Sequence, residues 1–195
     1  MSSPQALLAS IPGWQGRRAE ISPLPRGHNN RSFRGAWNDR VFVLRIVDNA
    51  EDSGMRDFAL ESQIQHRAAA LGIAAPVEYA NPASGLMLTR YLAGHAWTPG
   101  DLQDTAKLEQ LAALLRTLHG LPLCGVLYDA VHAADAYLEA MPAGIASSAT
   151  AVRCREIVAD EGAASVPACC HNDIVASNII GGACLQLIDF EYARD

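Results

Sequence analysis

A chain of 195 residues, 50% hydrophobic and 18% charged, can bury a core as one ordinary domain or two small lobes and is too apolar to be disordered. Its formal net charge of −6, from 15 basic and 21 acidic residues, argues against a general nucleic-acid binder, which needs a basic face to neutralise phosphates. No apolar run approaches the roughly 18 residues of a membrane span, and residues 1–18 lack a basic region followed by an apolar stretch, so no membrane span and no secretory signal are expected.

The first apolar stretch, Leu7 to Ile11, ends at Pro12–Gly13. The following segment, SPLPRGHNNRSFRGAW, is rich in Pro, Gly and Asn and predicts a turn between strands. Arg40 to Val47 is the clearest strand: β-branched, bounded by Asn38–Asp39 and Asp48–Asn49. Alternation puts Val41, Val43, Arg45 and Val47 on one face and Phe42, Leu44 and Ile46 on the other, so Arg45 is a charge within an apolar face and needs a partner. Met55 to Leu71 predicts a helix with Phe58, Ile64, Ala68 and Leu71 in one buried stripe, closed by Gly72.

A second strand is expected over Gly85 to Leu92. After a break at Thr98–Gly100, Asp101 is expected to cap a long helix through His119, with Leu108, Leu111, Ala112, Leu115 and Leu118 recurring at helical period. Asp129 to Glu161 is Ala-rich and predicts helix, interrupted near Pro142–Gly144. Ile179–Ile180 and Cys184 to Ile188 predict two short strands joined by Gly181–Gly182.

Five cysteines without a CxxC pair suit reduced thiols in a cytoplasmic protein. Cys169, Cys170 and His171 are consecutive, but neighbours on an extended chain point opposite ways and are ill placed to share a zinc ion. The thiols therefore read as small buried apolar side chains. Trp14, Trp37, Trp97 and the tyrosines read as packing rather than as a cage for a quaternary ammonium.

The chemistry concentrates near the carboxy-terminal end. His171 and Asp173 form HxD, Asn178 follows after four residues, and Asp189 ends the second hairpin strand. Chance alone, at this composition, gives roughly 0.01 matches to HxDxxxxN in such a chain. Phosphoryl transfer asks for a carboxylate to take the proton of an attacking hydroxyl, oxygen ligands for Mg²⁺, and a fixed cation on the nucleotide phosphates. Asp173 supplies the first, Asn178 and Asp189 the second, and Arg45 the third. Glu61, on the helix after the Arg45 strand, is placed to pair with Arg45. His171 is expected to hold the loop by a backbone hydrogen bond, and Glu191 shares a side with Asp189 with its role open. Of the 15 basic residues only Lys107 is Lys, and it falls on a surface helix, so Arg45 has no rival.

CHNDIVASNII followed by LQLIDFEYA resembles the choline and ethanolamine kinases, with thiamine kinases and aminoglycoside phosphotransferases as relatives in the protein-kinase-like superfamily. FVLRI with Arg45 is similar to that branch, and Glu61 falls where the family carries its ion-pair glutamate. LMLTRYLAGHAW resembles the strand and hinge that offer backbone groups to adenine, which implies Thr89, Arg90, Tyr91 and Leu92 as nucleotide contacts. Arg26–Gly27–His28–Asn29–Asn30 stands where the family carries a phosphate loop with two glycines; Gly27 and Asn30 match it, or serve only a hairpin turn.

The resemblance implies an α+β, two-lobed protein-kinase-like fold. Residues 1–92 would form an antiparallel-sheet lobe and residues 93–195 a helical lobe that stops short of the family's further helices. It further implies a Mg²⁺- and ATP-dependent phosphotransferase acting on the hydroxyl of a small cationic metabolite, of choline, ethanolamine or thiamine type. The rival is a truncated, non-catalytic nucleotide-binding or interaction fragment. A metal-dependent hydrolase built on His171, Asp173 and Asp189 would leave Arg45 and Glu61 idle.

Overall fold

Helix α1 (Pro4–Ser10) is started by Ser3, whose hydroxyl accepts from the Ala6 amide, and a proline at its first position suits the helical φ. The computed structural model describes residues 3–25, 30–47, 57–162 and 166–195. Behind α1 runs an antiparallel sheet of five strands: β1 (Glu20–Pro23), β2 (Asn30–Trp37), β3 (Arg40–Val47), β4 (Val77–Asn81) and β5 (Leu86–Arg90), in the order β1-β2-β3-β5-β4. Strand β3 has the bounds read from its sequence, and its alternation holds: Phe42, Leu44 and Ile46 are buried, while Val41, Val43, Arg45 and Val47 face the other side half-buried.

The polar segment expected to be a turn is mostly strand β2. Phe33 and Trp37 of β2 pack against the core behind the sheet, between Ser32, Arg34 and Ala36 on the opposite face. A period-2 pattern was present, and its arginines and serine masked it. Gly35 is required by close approach, because a Cβ there would lie 2.1 Å from the Phe42 ring. That core also holds Leu8, Ile11, Leu86, Leu88 and Trp14, whose ring meets Phe42 edge-on at 4.8 Å.

Helix α2 (Phe58–Ala70) begins later than expected. Asp57 caps it by accepting from the Ala59 and Leu60 amides at 2.9 and 3.0 Å; Met55 lies outside the described residues. Its buried stripe is Leu60, Glu61, Ile64, Gln65 and Ala68, whereas Leu71 is exposed and Phe58 half-buried. Leu71 lies past the last helical turn. Gly72 at φ +76° ends the helix in a Schellman turn, with amide bonds from Gly72 to Ala69 O and from Ile73 to Ala68 O.

After β6 (His95–Ala96), helix α3 (Thr105–His119) is capped by Asp104, not Asp101: Asp104 accepts from the Ala106 and Lys107 amides. Asp101 instead binds the Thr98 amide and hydroxyl and pairs with Lys107. The α3 stripe is correspondingly rotated. Leu111, Leu114 and Leu118 are buried, while Leu108 and Ala112 are exposed. Helices α4 (Ala130–Ala140), α5 (Ala143–Ala146) and α6 (Ala149–Gly162) follow, with the Arg155 guanidinium on both Asp135 oxygens joining α6 to α4.

The terminal hairpin pairs β7 (Ile179–Gly181) with β8 (Gln186–Leu187), and β6 adds on the outer side of β7. Gly181 belongs to the strand and the turn is longer than two residues, so β8 is shorter than expected. A second core unites α2, α3 and the hairpin through Leu60, Ile64, Ala68, Leu111, Leu114, Leu118, Ile179, Leu187 and Phe190. Among the described residues no helix is long and apolar enough to cross a membrane.

Candidate active site

Arg45 is the meeting point. On one side its Nη2 pairs with Glu61 Oε1 from α2, and on the other its Nη1 donates to Asp189 Oδ1 at 3.0 Å. The Glu61 side chain is only 4% exposed and Arg45 12%, against 35% for Asp189, so the inner pair is locked while the outer carboxylate is more open to solvent. Burial works against the Arg45 charge, but Glu61 and Asp189 outweigh it and raise its pKa. Burial pushes the Glu61 carboxyl up and Arg45 opposes that shift. The predicted charge inside an apolar strand face thus has its carboxylate partners.

The loop before the hairpin is held by three polar side chains. His171 is buried, and its Nε2 lies 3.0 Å from the Ile188 carbonyl, which requires a proton on that nitrogen. Its ring packs on Phe190 with centroids 4.6 Å apart, and burial lowers the imidazole pKa, keeping it neutral. Asn172 sits at φ +61° and donates to the Tyr192 carbonyl at 3.0 Å. Asn178 donates from Nδ2 to the Asp173 carbonyl at 3.1 Å and to Asp173 Oδ2 at 2.9 Å. Its amide nitrogen is thereby committed to Asp173, which leaves its Oδ1 as the group to meet a cation.

The hairpin brings Asp189 back to this loop. The Ile188 amide donates to Asn178 O at 3.0 Å, and the Leu187 amide to Ile73 O at 2.8 Å. Asp189 adopts φ +65°, a left-handed conformation that a non-glycine residue keeps only where its surroundings hold it. Two bonded sets, Asp173–Asn178 and Asp189–Arg45–Glu61, thus stand on chain segments joined by the Ile188 to Asn178 backbone bond. Among the described residues no cluster of three His, Cys, Asp or Glu side chains could hold a metal. One amide oxygen and one carboxylate are a donor set that fits Mg²⁺, which keeps water and phosphate oxygens in its remaining positions.

Asn30, at the start of β2, donates from Nδ2 to Glu191 Oε2 at 3.0 Å, and its buried Oδ1 has no hydrogen-bond partner among the described residues. Gly27 lies outside the described residues. Glu191 is thus the contact the sequence reading left without a role; its two-residue step from Asp189 was the available signal. Thr89 pairs with Val43 across the sheet, but the Arg90 and Tyr91 amides are already engaged by the Pro76 and Val41 carbonyls at 2.9 and 3.1 Å. Neither amide is a donor for a base, and the Arg90 side chain turns to Glu78. The cysteines divide. Cys169 is buried and its thiol pushed up to about 11, chiefly by burial, whereas Cys154 and Cys184 are exposed rather than buried as expected.

An antiparallel sheet carrying a buried Arg–Glu pair, faced by an HxDxxxxN loop and a hairpin carboxylate, defines a two-lobed, protein-kinase-like fold. The chain belongs to the phosphotransferase enzyme family (APH), whose sequence profile matches residues 20–195. No curated protein matches it. Among solved structures it is similar to a choline/ethanolamine kinase family protein from Mesorhizobium loti, at 26% identity and TM-score 0.69, covering 97% of this chain and 64% of that one. A choline kinase from Cryptosporidium parvum matches at 15% identity and TM-score 0.70, over 97% and 63% of the two chains. A thermostable mutant of aminoglycoside phosphotransferase APH(4)-Ia, in ternary complex with AMP-PNP and hygromycin B, matches at 16% identity and TM-score 0.68, over 98% and 72%. The chain spans less than two thirds of the length of the Mesorhizobium loti and Cryptosporidium parvum proteins.

Proposed function

We propose that the protein transfers the γ-phosphoryl group of ATP to a hydroxyl of a small cationic metabolite of the choline, ethanolamine or thiamine type. The observation that carries this reading is the 3.0 Å bond from Arg45 to Asp189, which joins the sheet's guanidinium to the carboxylate of the hairpin that follows the Asp173–Asn178 loop. Asp173 would take the proton of the acceptor hydroxyl as its oxygen bonds to the γ-phosphorus, and ADP would leave with the electrons of the broken P–O bond. Mg²⁺ bound to Asn178 and Asp189 would neutralise charge on the phosphate oxygens. Arg45, held by Glu61, would grip the phosphates.

Gly27 and Asn30 are assigned to the phosphate loop and His171 to support of the catalytic loop. Thr89 and Leu92 flank the base, with residues 1–92 and 93–195 as the two lobes. The acidic net charge of −6 suits a cationic acceptor, and the five unpaired thiols suit the cytoplasm.

The test is ADP release from Mg-ATP with choline, ethanolamine and thiamine as acceptors, alongside calorimetric binding of Mg-AMP-PNP. Asp173→Ala is expected to cut turnover about 10²- to 10⁴-fold while binding persists. Turnover unaffected by Asp173→Ala would overturn the assignment. A second reading, nucleotide binding without transfer, predicts binding of Mg-AMP-PNP with no turnover on any acceptor.

A further inference from the structure

The register of the sheet sets which residues face the cleft beside Arg45. Directly paired residues of antiparallel strands share a face. Ser32 pairs with Arg45 and Arg34 with Val43, while Met87 and Thr89 stand opposite Arg45 and Val43 on β5. The Tyr91 amide continues that ladder by donating to Val41 O, which brings Tyr91 to the same end of the face. Arg34 is therefore one row from Arg45, on the side away from the phosphate-loop end of β2 and toward the hinge after β5.

The Arg34 guanidinium lies over the Tyr91 ring, 5.2 Å from its centroid. Strands β2 and β5 are two interstrand steps apart, about 10 Å. The long Arg34 side chain thus crosses β3 at the Val41–Val43 row, over the surface between the phosphate-binding guanidinium and the hinge. A planar cation spread over this apolar floor has one π-partner, worth only about 0.5–1 kcal/mol at a half-exposed site. No carboxylate bond to Arg34 is present among the described side chains to fix it more firmly.

We infer that Arg34 is the residue that holds the nucleobase, its guanidinium stacking on the base and Tyr91 bracing it from the hinge side. The inference rests on the phosphotransferase reading and adds to it a recognition element that contacts the base and not the phosphates. A planar delocalised cation meets any purine face, and with the Arg90 and Tyr91 amides engaged within the sheet, stacking takes over part of the work of backbone recognition.

The experiment measures calorimetric affinities of Mg-AMP-PNP and of Mg-tripolyphosphate for the wild-type chain and for Arg34→Ala. Arg34→Ala is expected to weaken AMP-PNP about fivefold to tenfold and to leave tripolyphosphate unchanged. Equal weakening of both probes would make Arg34 a phosphate contact and overturn the inference. Unchanged or tighter AMP-PNP binding would overturn it as well, the latter showing that Arg34 obstructs the base. Should Arg34→Ala fail to fold, Arg34→Leu keeps the apolar stem across β3 and is expected to shift AMP-PNP affinity in the same direction. A wild-type chain that binds neither probe would instead remove the phosphotransferase reading itself.

Discussion

The two cores of this molecule are built differently. The core behind the sheet draws on residues 8 to 88, mostly neighbours along strands and their hairpins, and Phe42, Leu44 and Ile46 enter it by simple alternation. The second core joins α2 to α3 and to a hairpin more than a hundred residues downstream, so its members meet only when the chain has folded. Arg45 stands between them. Its strand belongs to the first core, while its ion-pair partner Glu61 rides on a helix buried in the second. The Arg45 contacts thus join two separately packed cores, and damage to either should read out differently.

A matched pair of cavities gives the largest expected effects. Leu88→Ala in the sheet core and Leu187→Ala in the hairpin core should each cost about 2–5 kcal/mol in chemical denaturation. Leu187→Ala alone should also weaken Mg-AMP-PNP binding, because the fully buried Leu187 side chain seats the hairpin in the second core two residues before Asp189. Equal binding losses in the two variants would erase the distinction between the cores.

Breaking the bridge itself comes next. Glu61→Ala leaves Arg45 with Asp189 as its remaining close carboxylate and should cost about 3 kcal/mol of stability, the low end for an interrupted buried pair. A loss below measurement would mean that the two regions do not depend on this contact.

A smaller effect is written in pH. The His171 imidazole has its folded pKa lowered from 6.5 by burial, so the unfolded chain binds more protons and stability falls as pH drops below about 6.5. Thermal melts between about pH 7 and pH 5 should show this decline. In His171→Gln the decline should be shallower, and an identical slope in both proteins would contradict a neutral, buried His171. The smallest effect is local: Asp104→Ala removes the α3 cap and should cost about 1 kcal/mol, whereas a cap at Asp101 would leave this variant unchanged.

The candidate site was legible to different degrees for physical reasons. The HxDxxxxN loop and Asp189 carry their chemistry in residue types at short range, so their spacing announced them. Arg45 stood out because a charge in an apolar alternation demands a partner. Glu191 and Arg34 gave weaker signals: the first depends on meeting Asn30 across the fold, and the second sat in a segment whose polarity resembled a turn. The helix stripes shifted by a residue or two because burial follows the neighbour against which a helix docks, as exposed Leu71 and Leu108 illustrate.

Local pattern by itself determined β3 and its two faces, the existence of α2, α3 and the terminal hairpin, and the HxDxxxxN spacing, because propensity, alternation and side-chain type act over a few neighbours. Tertiary structure decided which aspartate caps α3, which leucines face inward, and that Asn30 meets Glu191. It also decided that Arg45 bridges Glu61 and Asp189. Those outcomes require groups far apart in the chain to exclude water together, and no short stretch of sequence contains both partners.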